Sequence, residues 1–218
     1  MHETFAAARY HHLTIMTLLA PQPSLVPALP PVPVRRFSVE EYHRMIEDGF
    51  FAEDEAVELL EGWIIPKMAR DARHDATIEL ADETLSGLLP SGWRVRVQCA
   101  VTTGDSEPEP DLALVKGSPR SRAKQHPGAA EVPLLIEVAE SSLSLDRRLK
   151  GRAYARARFV EYWIINLVDN QVEVHTEPVS EAEEPFYRSR RVFGRGESIA
   201  FLVDGTNCVV AVNDLLAD

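Results

Sequence analysis

One acidic side chain, Glu137, interrupts an otherwise apolar stretch in Pro133-Leu-Leu-Ile-Glu-Val-Ala-Glu140. A short apolar run of this kind reads as a buried strand. A carboxylate inside such a strand is costly unless it is paired, so its partner must come from another part of the fold. The segment 143–157 supplies a candidate. Its spacing predicts a helix with Leu145, Leu149 and Ala153 as the apolar stripe. Lys150 lies beside that stripe, while Arg148, Arg152 and Arg156 line the opposite side. Lysine is rarely turned inward without an anion to meet it. A second acidic strand, Pro110-Asp-Leu-Ala-Leu-Val115, precedes the first. Asp111 lies 26 positions before Glu137, which permits neighbouring places in one sheet.

The remaining elements follow from punctuation and period. Phe37-Ser-Val-Glu-Glu-Tyr42 carries a capping-box pattern with Ser38 as N-cap, predicting a helix to about Glu47 that stops at Gly49. Two short apolar runs between Val57 and Ile65 flank Glu61-Gly62 and predict a hairpin. Asp71 to Leu89 is amphipathic, with Ile78, Leu85 and Leu89 on or near one face, and Trp93-Arg-Val-Arg-Val97 alternates as a half-buried strand. Val160–Ile165 reads as a buried strand and Gln171–His175 as its partner across a turn at 168–170. Strands near Tyr187–Val192 and Ile199–Val203 follow, then a short helix after Asn213. This order predicts an α/β domain with a central mixed sheet and helices on its faces.

The chain has 218 residues, enough for one domain with a substantial core. Residues 1–34 read as a flexible Pro-rich tail and 35–218 as the folded domain. Six prolines between Pro21 and Pro33 exclude a membrane helix there. Leu13 to Ala20 imitates a signal-peptide core, but its basic start is weak and no cleavage site follows; Met16 is an alternative start. With only Cys99 and Cys208, no disulfide framework is expected, and a reduced cytoplasmic setting is the default.

The net charge of −11 argues against unselective affinity for nucleic acid. The charge is unevenly distributed, however. Residues 38–111 hold 18 acidic and 6 basic side chains, whereas residues 112–165 hold 5 acidic and 10 basic. Carboxylates on two strands with an inward lysine point to a metal site for phosphodiester hydrolysis. Mg²⁺ takes hard oxygen ligands, commonly one or two carboxylates with water and substrate phosphate, and a nearby cation offsets developing charge. Asp111 and Glu137 are the candidate ligands, the Val138 carbonyl a further oxygen, and Lys150 the cation. Glu58 can enter from the hairpin as an accessory acid.

The stretches Glu58-Leu-Leu-Glu-Gly62, His74, Pro110-Asp111-Leu-Ala-Leu-Val and Leu135-Ile-Glu137-Val resemble the bacterial Uma-type restriction endonuclease family. So do Ser142-Leu-Ser-Leu-Asp146-Arg-Arg-Leu-Lys150, Tyr154-Ala-Arg-Ala and Glu161-Tyr-Trp-Ile-Ile. That family belongs to the PD-(D/E)XK nuclease superfamily. The resemblance covers about Phe37 to Val174. It implies a restriction-endonuclease-like fold, metal binding by Asp111 and Glu137, and Mg²⁺ (with Mn²⁺ as a substitute) as cofactor. The superfamily places lysine two residues after the second acid, where this chain has Ala139. The Uma-type pattern draws it from the following helix, which matches Lys150. Glu58 resembles the family's first acid, with Glu61 as its rival.

The reading is a metal-dependent endonuclease acting on DNA, with no membrane partner and a homodimer as the expected assembly. Two alternatives stand beside it: a nuclease-fold binding or regulatory protein with weak or absent catalysis, and a hydrolase of smaller phosphate esters. The bland readings are a structural Lys150–Glu137 pair, His74 packing or capping at its helix start, and Arg148, Arg152 and Arg156 forming a solvated face. Asp146 and Tyr154, one turn either side of Lys150, can orient it.

Overall fold

Ser38 opens the first element as the sequence predicts. Its Oγ accepts the Glu41 N–H at 3.2 Å and the Glu41 carboxylate accepts the Ser38 N–H at 3.0 Å, which starts α1 (Val39–Glu47). The computed structural model describes residues 33–217. The Pro-rich tail expected over 1–34 therefore lies, but for Pro33 and Val34, outside the described residues.

Strands β1 (Val57–Leu60) and β2 (Trp63–Pro66) form the expected antiparallel hairpin. Its turn residues, Glu61 and Gly62, both have positive φ, 50° and 75°, the geometry a tight two-residue hairpin demands. A Cβ on Gly62 would lie 2.5 Å from the Arg36 Cβ, so the turn accepts only glycine there. Val39 and Tyr42 of α1 pack on Val57 and Leu59 of this hairpin.

Helix α2 (Ala72–Leu88) begins at Asp71, whose carboxylate accepts the His74 N–H at 2.9 Å. A six-stranded sheet follows, in the order β3 (Trp93–Val97), β4 (Leu112–Lys116), β5 (Leu135–Ala139), β6 (Glu161–Asn166), β7 (Gln171–Val179), β8 (Phe186–Gly194). Only β5 and β6 run parallel; every other neighbouring pair is antiparallel. The mixed sheet flanked by helices is the predicted architecture.

Alternation along the strands sorts the two faces. Leu112, Leu114, Ile136, Val138, Trp163 and Ile165 face α2 in the larger core. Ala113, Val115, Leu135, Ala139, Tyr162 and Ile164 form a second core with Tyr154 and Phe159. Asp111, Glu137 and Glu173 fall on this second face by the same alternation.

The structure departs from the sequence reading in three places. A strand, β10 (Thr206–Ala211), pairs with β9 (Ser198–Val203) where none was expected. The Asp204-Gly205 turn between them is a hairpin signal. The terminal helix is a single 3₁₀ turn, Val212–Leu215. The expected helix over 143–157 is continuous in path but mixed in kind: α3 (Leu143–Leu145), a π-helical segment (Asp146–Lys150) and α4 (Gly151–Arg156). Leu145 and Leu149 are only half-buried, whereas Asp146, Lys150, Ala153 and Tyr154 are buried. The inward stripe is therefore partly ionic: Asp146 and Lys150, at the two ends of the π-helical segment, are buried with Ala153 and Tyr154.

Candidate active site

Lys150 is the hub of the buried polar cluster. Its Nζ lies 3.0 Å from Oε1 of Glu137, 3.4 Å from Oε1 of Glu58 and 4.0 Å from Oδ1 of Asp146. Each partner arrives by a separate route. The antiparallel register Leu112↔Ile136 brings Asp111, just before β4, beside Glu137 on β5. The Val138 N–H then donates to Oδ2 of Asp111 at 2.9 Å, locking the carboxylate to the strand next door. Glu58 comes from the hairpin, which the segment 105–109 holds in place through Glu107 N–H to the Leu59 carbonyl at 2.7 Å. The Glu109 N–H also donates to Oε2 of Glu58 at 3.0 Å. Tyr154, one turn after Lys150, donates its hydroxyl to Oε1 of Glu137 at 2.6 Å. It orients the carboxylate rather than the lysine.

The π segment presents its two buried ends, Asp146 and Lys150, to one another. Such local widening of a helix recurs at functional sites, because it moves side chains out of ordinary α register.

All of Glu58, Asp111, Glu137, Val138, Asp146 and Lys150 line one open cavity of about 970 Å³. Its charge is unbalanced: eight carboxylates line it against three cations, Lys150, Lys67 and Arg70. Burial lowers the Lys150 pKa, but Glu137, Glu58 and Asp146 more than reverse this and hold it above the ordinary lysine range. Burial raises Glu137 well above the usual carboxylate range; Lys150 opposes that, and the neighbouring acids add to it. Burial likewise pushes Asp146 up to about 6, against the pull of Lys150.

Of the two rival hairpin acids, the structure brings Glu58 to the cavity. Glu61 points to a different cluster, taking two bonds from Arg152 (2.7 and 2.6 Å) and one contact from Arg156 at 2.8 Å. Arg156 also reaches Asp105 at 2.9 Å. Arg152 and Arg156 thus form neither a phosphate-facing row nor a solvated face; they clamp the hairpin to α4. Arg148 alone of the three is exposed.

Sequence reasoning placed His74 at its helix start and missed the direction of its side chain. The imidazole is buried, lines the cavity, and sets Nε2 3.6 Å from Oδ2 of Asp111. Burial lowers its pKa, but the nearby Asp111 carboxylate prevails and raises it. Lys67 and Arg70, in the loop leading into α2, also line the cavity. Nothing in the sequence period of a loop could have placed them there.

Among the described residues, no group of three or more His, Cys, Asp or Glu side chains is gathered closely enough to hold a metal ion. The donor set nevertheless fits a hard divalent cation. It is all oxygen, carries excess negative charge, and offers two adjacent carboxylates in Asp111 and Glu137. That is the number Mg²⁺ commonly takes from protein, with water and phosphate completing its shell. Both bonds to Glu137 from Lys150 and Tyr154 fall on Oε1, and the Val138 bond to Asp111 falls on Oδ2, so each carboxylate keeps its second oxygen out of these contacts.

The layered sheet and the cavity at the β4–β5 end define a restriction-endonuclease-like α/β protein. A solved structure of similar fold is titled "a putative nuclease belonging to DUF820 from Anabaena variabilis ATCC 29413"; it aligns at a TM-score of 0.61 and 17% identity, over 82% of this chain and 97% of that one. No curated protein matches the chain. Residues 39–204 match the model of the Uma2 family, described as "Putative restriction endonuclease", and the chain belongs to that family.

Proposed function

We propose that the protein is a metal-dependent endonuclease that hydrolyses phosphodiester bonds in DNA, using Mg²⁺ with Mn²⁺ able to substitute. The observation that carries this reading is the convergence of Glu58, Asp111, Glu137 and Lys150 from four separate elements on one open cavity. A structural ion pair needs no open cavity beside it and no third or fourth carboxylate. Asp111, Glu137 and the Val138 carbonyl are the residues that would hold the ion. When bound there, it would supply Lewis-acid polarisation of the phosphate and acidify water.

The chain's own groups have separable tasks. Lys150 remains an ammonium at neutral pH, so it donates hydrogen bonds to the attacking water or the phosphate and is not a general base. Tyr154 and the Val138 N–H fix the rotamers of Glu137 and Asp111. Glu58, anchored by the Glu109 N–H, bounds the cavity opposite and stabilises the Lys150 charge. One cavity per chain cuts one strand, so double-strand cleavage would require two copies related by a two-fold axis.

A second reading, a binding protein on this fold, is favoured by one observation: Lys150 and Glu137 already satisfy each other at 3.0 Å. Supercoiled plasmid separates the two. With Mg²⁺ or Mn²⁺ the wild type should nick it, EDTA should stop nicking, and Asp111→Ala and Lys150→Ala should each lower the rate by at least about a hundredfold, the scale of losing one electrostatic stabiliser. DNA retained without nicking by a folded wild type would instead establish the binding protein. Activity surviving both substitutions would refute the site.

A further inference from the structure

Arg96 is a buried cation without a carboxylate. It lies on β3 opposite Ala113, with its side chain on the same sheet face as Asp111 and Glu137. It is 7% exposed, yet among the described residues no acid stands within ion-pair distance of it. Its Nη2 makes two long contacts, to the Ala100 carbonyl at 3.3 Å and to Nδ1 of His126 at 3.4 Å. Its Nε is buried with no partner. A guanidinium removed from water in this way is costly, because neither Coulombic pairing nor a full set of hydrogen bonds offsets its desolvation. Such a cost is commonly retained where function needs the charge.

Arg96 lines a cleft of about 290 Å³ together with Gln98, Cys99, Ala100 and the exposed His126. Gln98 and Glu109 line both this cleft and the larger cavity. The Gln98 N–H donates to the Asp111 carbonyl at 2.9 Å, which fixes the spacing between the two. The cleft's own acids have partners. Glu107 meets Nε2 of His43 at 2.6 Å and the Thr102 hydroxyl at 2.7 Å, and Glu109 is ion-paired with Lys67. Arg96 is the unspent charge of this cleft.

We propose that Arg96, with His126 at the rim, is a phosphate subsite that holds the nucleic-acid backbone beside the scissile phosphodiester. This deepens the nuclease reading and rests on it. Arg96 is a positioning residue: it touches a neighbouring phosphate rather than the reacting one, and a guanidinium fork suits phosphate oxygens.

The test measures binding of a labelled 12-base-pair DNA duplex in Ca²⁺ across a salt series, with melting curves, for the wild type, Arg96→Gln and Arg96→Lys. Arg96→Gln should weaken binding about tenfold and reduce the slope of log Kd against log salt by about one, because one phosphate contact is lost. Arg96→Lys should keep the wild-type slope. The melting temperature of Arg96→Gln should match or exceed the wild type, because an unpaired buried charge has gone. A structural prop would behave oppositely: its loss would lower the melting temperature, and binding would fall only with it. If Arg96→Gln does not fold, His126→Ala at the exposed rim must weaken binding instead. Unchanged affinity and slope in Arg96→Gln would overturn the subsite. That failure is distinct from failure of the nuclease reading, in which the wild type leaves plasmid intact while DNA binding still depends on Arg96. A wild type that neither binds nor cleaves DNA would remove both.

Discussion

Lys150 is encircled by Glu137, Glu58 and Asp146 while nearly sealed from solvent. In such a cluster the ammonium does more than complement one acid: it permits three carboxylates to be buried together. Replacing it with an apolar side chain of similar length should therefore be severe. Lys150→Met is expected to cost about 3–5 kcal/mol near pH 8, since it strands buried carboxylates without compensation. Adding Glu137→Gln should recover part of that loss, because the acid nearest Lys150 is then neutral. Urea denaturation of the two single variants and the double variant measures the coupling. Equal losses in Lys150→Met and the double variant would mean that Lys150 does not act on stability through Glu137.

The helix around the π segment meets the sheet through a second ionic contact. Arg147 and Arg190 both bind Glu173, a fully buried acid on β7, and Asn166 donates to it at 3.1 Å. Burial alone would raise the Glu173 pKa. The close approach of His175, with hydrogen bonds from Arg147, Arg190 and Asn166, outweighs burial and holds it far below the usual range. A depressed carboxylate contributes its stability fully above the unfolded pKa of about 4.3 and loses it as pH falls below that value. The urea midpoint should therefore drop between pH 5 and pH 3, and Glu173→Gln should flatten that drop while costing about 2 kcal/mol at pH 7. An acid limb identical in variant and wild type would assign the pH dependence to other groups. Elements such as α1, the β1–β2 hairpin and β5 were legible because local signals decide them: a capping box, an Asp/Glu-Gly turn, an apolar run. The same turn signal marked β10 at Asp204-Gly205 and was missed. Lys150 was legible as an inward charge, but a wheel drawn at 100° per residue could not show the π-helical segment in which it lies. Glu58 over Glu61, the inward turn of His74 and the burial of Arg96 depend on contacts between residues 30 to 92 positions apart and have no local signal.

For the whole molecule, the question is how a chain of net charge −11 would hold DNA. The basic stretch 112–165 promises ten cations, yet seven of them are engaged within the chain. Lys116, Arg122, Arg147, Lys150, Arg152, Arg156 and Arg158 pair with Asp204, Glu131, Glu173, Glu137, Glu61, Asp105 and Glu181 respectively. Arg120, Lys124 and Arg148 stand outside those pairs. A broad electrostatic footprint is therefore absent from this stretch, and the excess carboxylates of the cavity repel a phosphodiester until a cation neutralises them. Two consequences follow for binding. Affinity for duplex DNA should be weak in EDTA and rise with Ca²⁺ or Mg²⁺, because the ion offsets part of the cavity's negative charge and offers phosphate oxygens a ligand position. The slope of log Kd against log salt should also be shallow, at most about four, since each phosphate contact contributes about 0.9 to it. Fluorescence anisotropy from 50 to 300 mM salt, with and without Ca²⁺, measures both. A slope near ten in the absence of metal would mean that the internal ion pairs open on binding and their arginines move to phosphate. A shallow, metal-dependent slope would leave affinity to the cavity and its immediate cleft, so that substrate choice is made within a few residues of Lys150.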